Sequence, residues 1–397
     1  MLTIYSKAIR NVMKREFIRI AERKTLYSLM IILPMILFLL FALIYKNRSI
    51  ENLPVAIFDE DNSALSRLVI QSVESTKSMK IDRYVHSIDE IRESMLSGKI
   101  QAGFYIPRDF SSEIKSGKST RMVVYKNTNN LIIGNLIYKD ALTITKTVSG
   151  GVLLKKLPSE GMSEDQAMNI VNPIRLETQS LFNPAYNYEN YLVPGLMPVM
   201  LQMIIMISGV LIISSEYTHR TIDELFKTAD NLVLAVFLGK STPHLLIYTT
   251  MSLGMIGIIF PLFAIPYSGS VVTGLLFLIY FIAANFFLAM FLSTLIHDQL
   301  LATEIAVFFN TPAFIFSGYT FPLSSMPGLH SIYGQMMPFT HFLSGFLKIY
   351  QMNAPNRYLW PEVQVLSLFV WGSIALSLIA IKYRKSHLPA LTGGGTV

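Results

Sequence analysis

The sequence predicts an α-helical polytopic membrane protein: six transmembrane helices with an extracytoplasmic α/β domain inserted between the first two. Three observations carry this. Hydrophobic residues make up 52% of the 397 positions and charged residues only 15%, where soluble domains carry closer to a quarter charged. The deficit is local: residues 241–296 contain no Asp, Glu, Lys or Arg, which is room for two spans of about 20 residues. Residues 46–190, by contrast, are polar and mixed, and alternate strand-like with helix-like patterns.

Residues 1–24 come first, a basic amphipathic segment. Tyr5, Ile9, Val12, Phe17 and Ile20 recur at roughly helical spacing, and Lys7, Arg10, Lys14, Arg15, Arg19, Arg23 and Lys24 fill other positions. This predicts a cytoplasmic helix in the inner headgroup layer, against the alternative of a plain basic tail. Residues 25–45 form an uncharged first span containing Pro34. A signal peptide would have a shorter apolar core and a small-residue cleavage site; here Lys46-Asn47-Arg48 follows.

Within 46–190, Val55-Ala56-Ile57-Phe58 predicts a strand, and Asp59-Glu60-Asp61-Asn62 a turn leading into a helix from Ser63 to Ser75. Ser87 and Glu90 predict a capping box. Strands are expected at 102–106, ended by Pro107, and at 121–125; a long helix at 131–156; and a short one capped by Ser163 and Gln166. Later spans are placed at 191–214, 242–266, 271–295, 300–320 and 363–381, with a 215–240 loop after the second and a 382–397 tail. Residues 321–347, without formal charge but rich in Pro, Gly and Met, are too broken for a span and predict a re-entrant helical hairpin.

Orientation follows from Lys and Arg. The N-terminal segment, the 215–240 loop and the C-terminal tail together carry thirteen, and the 348–357 region two. The large domain carries eighteen, but long segments translocate largely regardless of charge and do not count. Both termini are therefore expected in the cytoplasm. The net charge of +7 is explained by this asymmetry, so no nucleic-acid partner is expected.

Catalytic signatures are missing. There is no cysteine. Gly239-Lys240-Ser241 and Gly117-Lys118-Ser119 resemble the end of a phosphate-binding loop, but Leu234 and Ser112 stand where its first glycine belongs. No metal site, cofactor or nucleophile is expected in the chain; if the protein uses energy, another chain is expected to supply it.

The 215–240 loop is the most informative inside segment. Thr221 with Glu224 predicts a capping box, and Ile222, Leu225 and Phe226 a short apolar helix face: a lever for a soluble partner, or a turn that keeps the loop compact. Several pieces now fall in an order that resembles the ABC-2-type transporter permeases with a large domain between the first two spans. They are Phe58-Asp59-Glu60-Asp61-Asn62-Ser63, Ile106-Pro107-Arg108-Asp109-Phe110, Asn183-Pro184, Val193-Pro194-Gly195-Leu196, Gly239-Lys240 with Pro243, Phe316-Ser317-Gly318-Tyr319-Thr320-Phe321-Pro322 with Met326-Pro327, and Pro338-Phe339-Thr340. In the loop, Glu216, Thr221, Glu224 and Leu225 match the pattern, whereas Arg220 stands at its glycine and Ala229-Asp230 where a proline is usual.

The resemblance implies a permease that forms the translocation path with a second copy or a sibling. A separate ABC ATPase subunit carrying ATP and Mg would drive it, docking around Glu216, Thr221, Glu224, Leu225 and Phe226. It further implies export, a bacterial inner membrane, lipid neighbours and a periplasmic adaptor protein. Glu304, Ser317, Gly318 and Pro322 are candidates for the path or dimer seam; for Glu304 the favoured reading is an acid near the inner helix end that reaches the headgroup layer. The alternatives are a membrane-anchored receptor or assembly platform and an intramembrane enzyme.

Overall fold

In the computed structural model, residues 2–44, 50–116, 118–128, 131–156, 188–262 and 267–386 are described. The expected helix after Ser163, Asn183-Pro184 and the extreme C-terminal tail lie outside them. The chain divides into two units, Met1–Lys46 with Glu189–Val397, and Asn47–Tyr188.

The first unit is helical, and six of its helices are long and apolar enough to cross a membrane: Lys24–Phe41, Gly195–Thr218, Val233–Leu262, Val271–Leu295, Gln299–Phe316 and Asn356–Ser386. The third begins at Val233 rather than 242, which places Lys240 inside a helix instead of a loop. Two of these helices widen into π-turns, Ser28–Ile32 and Met255–Ile259. Each turn precedes a proline, Pro34 or Pro261, whose missing N–H breaks the regular ladder.

The centre of this unit is the fourth helix, which buries Phe277, Leu278, Phe281, Ile282 and Phe286. Against it packs the helix Pro338–Tyr350, where Phe342, Phe346 and Tyr350 share one face at intervals of four. Phe281 and Phe342 stack at 4.1 Å and Phe277 and Phe342 at 5.3 Å. Residues 321–347 form a 3-10 turn, Leu323–Ser325, and two α-helices, Gly328–Gln335 and the start of Pro338–Tyr350. Outward-facing Leu368, Trp371 and Ile379 on the sixth helix are exposed, as suits side chains that contact lipid.

The Asn47–Tyr188 unit contains a four-stranded sheet in the order β2-β1-β3-β4, with β1 Leu53–Asp59, β2 Met79–Tyr84, β3 Ala102–Ile106 and β4 Val123–Lys126. β1 runs parallel to β2 and β3, and β4 antiparallel to β3. Parallel pairs require crossovers, supplied by the helices Ala64–Glu74 and Ile88–Leu96. β1 and β3 are covered on both faces, so Val55, Ala56, Ile57, Phe104 and Ile106 are all buried.

The acidic turn after β1 is built by Asp59. Its carboxylate accepts the Asp61 and Asn62 N–H groups at 3.0 and 3.1 Å and the Ser66 hydroxyl at 2.7 Å. Ser63 and Ser66 then form a capping box. At Ser87 only half of the expected box forms: its hydroxyl accepts the Glu90 N–H, while the Glu90 carboxylate accepts the His86 N–H instead.

Candidate functional site

Where the N-terminal helix Leu2–Glu22 meets the helical unit, it buries Ala8, Val12 and Ile20. Glu16 lies in the same stripe, four residues from both Val12 and Ile20, and is 1% exposed. Facing it on the third span are Gly239, Lys240 and His244. Gly239 carries no Cβ because one would stand 2.5 Å from the Val12 Cβ and 3.1 Å from the Ile9 carbonyl oxygen.

Through this close approach an ion cluster forms. Lys240 Nζ donates to Glu16 Oε2 at 2.6 Å and to Glu216 Oε1 at 2.5 Å. Arg15 grips Glu216 with two parallel bonds of 2.8 and 3.0 Å, the strong bidentate geometry of guanidinium on carboxylate. Arg19 Nη1 reaches Glu216 Oε1 at 2.5 Å and lies 3.5 Å from Glu16, and its other nitrogen donates to the Ser215 hydroxyl. His244 Nε2 lies 3.0 Å from Glu16 Oε1.

Lys240 and Glu216 are wholly buried. A lone buried charge is costly; here two carboxylates meet one ammonium and two guanidiniums, and each acid has several donors. Burial opposes ionisation of Glu16, yet Lys240, His244 and Arg19 outweigh it and hold its carboxyl well below the usual carboxylate range. The cluster thus ties three segments far apart in sequence: the N-terminal helix, the end of the second span and the third span.

Glu216 therefore sits inside this cluster and presents nothing to the surface. Thr221 makes no capping box. Its backbone (φ −105°, ψ 7°) is not that of an extended N-cap, and its hydroxyl donates back to Glu216 Oε2, a charged acceptor that outcompetes the helix end. Leu225 and Phe226 are buried on the inner face of the helix Ile222–Thr228. Glu224, with 68% of its side chain exposed, faces out and lies 3.8 Å from Arg15 Nε.

Arg220 adopts φ +56°, the left-handed conformation that favours glycine, so the backbone shape survives the residue change at a cost of about 1 kcal/mol. Its side chain is exposed. Arg220→Gly is expected to raise stability by roughly 0.5–1 kcal/mol, read as a higher midpoint in thermal unfolding of the detergent-solubilised protein. A lower midpoint would show that the arginine side chain, not the turn, matters there.

Ser317, Gly318 and Pro322 line one cavity of about 590 Å³ together with Tyr319, Thr340 and Glu362. Glu304 is not among them. It is exposed on the fifth helix and borders a separate apolar groove of about 890 Å³ with Phe308, Phe316 and Leu329. Asp298 caps that helix, accepting the Leu300 and Leu301 N–H groups. Among the described residues, no group of three or more His, Asp and Glu could hold a metal ion.

Sequence reasoning missed Glu16, Lys240 and His244 as partners. The signals were an acid within the apolar stripe of a basic helix, and a Lys and a His four residues apart at the border of a charge-free run.

Residues 24–380 match the family described as ABC-2 family transporter protein. The chain is 24% identical over 376 residues to the probable multidrug ABC transporter permease YbhR of Escherichia coli K12, covering 91% of this chain and 97% of that one. It is 24% identical over 311 residues to the probable multidrug ABC transporter permease YbhS of the same organism, covering 75% and 76%. ABC transporter G family member 20 of Dictyostelium discoideum is 24% identical over 383 residues, covering 94% of this chain and 50% of that protein. With the family matched over most of its length and six apolar helices long enough to span a bilayer, this chain belongs to the ABC-2 family of membrane transporter permeases.

Proposed function

We propose that the chain is the membrane subunit of an ATP-driven exporter, working as a dimer with a second copy or a sibling and powered by a separate ABC ATPase that carries ATP and Mg. The observation that carries this reading is the buried ion cluster. The short helix Ile222–Thr228 is anchored by Leu225 and Phe226 and follows Glu216 closely in sequence. Glu216 is bonded in turn to the N-terminal helix and the third span. A push on the exposed side of the short helix, at Glu224 and Lys227, or on Asp230 in the turn after it, is thus passed to three helices through charges that cannot separate cheaply.

In this reading both termini and the 215–240 loop face the cytoplasm at a bacterial inner membrane. Residues 46–190 form the extracytoplasmic α/β domain that meets a periplasmic adaptor. Residues 321–347 form a re-entrant hairpin, and Ser317, Gly318 and Pro322 border the path. Two of the relatives are named as multidrug permeases, which fits apolar or amphipathic cargo here.

The test is co-purification of the ATPase with tagged protein from native membranes in mild detergent, comparing wild type with Glu224→Arg. The variant is expected to recover at least about tenfold less ATPase, since it reverses a charge at a contact worth more than about 1.4 kcal/mol. Its stability should fall by no more than about 1 kcal/mol, because the pair it breaks with Arg15, at 3.8 Å, is largely exposed on the glutamate side. Undiminished recovery would move the contact away from this helix. No recovery even from crosslinked membranes of the wild type would leave the assembly-platform reading in place of the exporter.

A further inference from the structure

The Asn47–Tyr188 unit contains a cavity that the export reading does not use. It measures about 490 Å³ and lies among the helices Ala64–Glu74, Phe110–Lys115 and Leu131–Lys156 and the 118–122 segment that leads into β4. Val69, Phe110, Ile144 and Val148 form its apolar wall, and all four belong to the buried core of the unit. Cores are packed with few voids larger than a water molecule. A space of this size bounded by core side chains falls in the range of drug-sized ligand pockets, roughly 300–1,000 Å³.

The lining is polar elsewhere. Lys118, Ser119, Thr120, Thr145 and Ser149 border the cavity, and the Thr120 hydroxyl is buried with no hydrogen-bond partner among the described residues. No carboxylate is among the described residues that line it. Lys118 is the one charged side chain among the described residues that line it, so the lining favours an anion over a cation.

We propose that this cavity binds a single-chain anionic amphiphile, its acyl chain against Val69, Phe110 and Val148 and its carboxylate or phosphate head at Lys118 and Thr120. The combination of an apolar wall, one cation, unengaged hydroxyl capacity and no acid selects this class over neutral or cationic compounds. The proposal does not depend on the export reading.

The test uses the full-length protein in nanodiscs of zwitterionic lipid, photolabelled with a fatty acid that carries a diazirine in its chain. Labelled peptides are mapped by mass spectrometry. The expected result is saturable labelling around Met122 and Val148, competed by unlabelled fatty acid or lysophosphatidic acid; the stronger competitor tells whether the head is carboxylate or phosphate. Lys118→Glu, an exposed position that leaves the core intact, is expected to weaken the apparent affinity about tenfold. Val148→Trp, which fills the space, should abolish labelling there while labelling of the spans persists as an internal control. Labelling that does not saturate, or that survives both substitutions, overturns the site. Equal competition by an uncharged monoacylglycerol overturns the anionic head.

Discussion

Lys240→Met is expected to lower stability by about 3–5 kcal/mol, the range seen when one partner of a buried ion pair is removed. Methionine nearly matches the volume of the lysine stem, so the loss is electrostatic rather than a cavity. Lys240 is wholly buried and holds Glu16 at 2.6 Å and Glu216 at 2.5 Å. Without it, Glu216 keeps both guanidiniums, but Glu16 keeps only Arg19 at 3.5 Å and the imidazole of His244. The orphaned acid must then shed its charge or drag the N-terminal helix out of contact.

The double variant Glu16→Gln with Lys240→Met removes both the ammonium and the acid it strands, and is expected to recover at least about 1 kcal/mol over the sum of the singles. Lys227→Ala, an exposed lysine on the neighbouring short helix, should stay within about 0.5 kcal/mol of wild type. Thermal unfolding in detergent across this cycle decides the matter. Additive effects, or a loss at Lys240 no larger than at Lys227, would remove the cluster as the link between the helices.

The same residues show what the sequence makes legible and where that ends. The spans are legible because a charge-free run of membrane length has few soluble readings; two of the three parallel strands, because Val55-Ala56-Ile57-Phe58 and the 102–106 run are apolar stretches cut off by Asp59 and Pro107, whereas β2 is missed because Lys80, Asp82 and Arg83 break up its apolar residues. These signals are local. Lys240 reads as a loop residue because, without a known partner, a cation marks the end of a span. Its partner Glu16 lies 224 positions away, beyond any periodicity. Arg15 and Arg19 read as headgroup contacts for the same reason: an amphipathic pattern tells which face is polar, not whether water, lipid or a buried acid receives it. Thr221 and Glu224 fit a capping pattern, but the hydroxyl has a stronger acceptor in Glu216. Sheet order and register likewise depend on pairings the chain pattern does not encode.

Gly239→Ala separates packing from charge at this junction, and it is expected to destabilise by roughly 1–3 kcal/mol, as overpacking does. A methyl there would stand 2.5 Å from the Val12 Cβ, 2.6 Å from its Cγ1 and 3.1 Å from the Ile9 carbonyl oxygen. Val12 branches at the colliding atom and is held in a helix, so no side-chain rotation relieves the overlap; the N-terminal helix must move away. That displacement falls one residue from Lys240, whose two bonds have almost no length to give. Gly254 supplies the comparison: it lies in the same span, and an added methyl there would meet nothing within 4 Å, so Gly254→Ala should stabilise by up to about 1 kcal/mol through helix propensity alone. The same substitution in one helix is thus expected to change sign between these two positions. In the exporter reading Gly239→Ala should still bind the ATPase, because Glu224 is untouched, yet hydrolyse ATP with reduced export in reconstituted vesicles. Equal, mild effects of the two alanines would mean that the N-terminal helix rests only loosely on the third span, and that force reaches the membrane by another route.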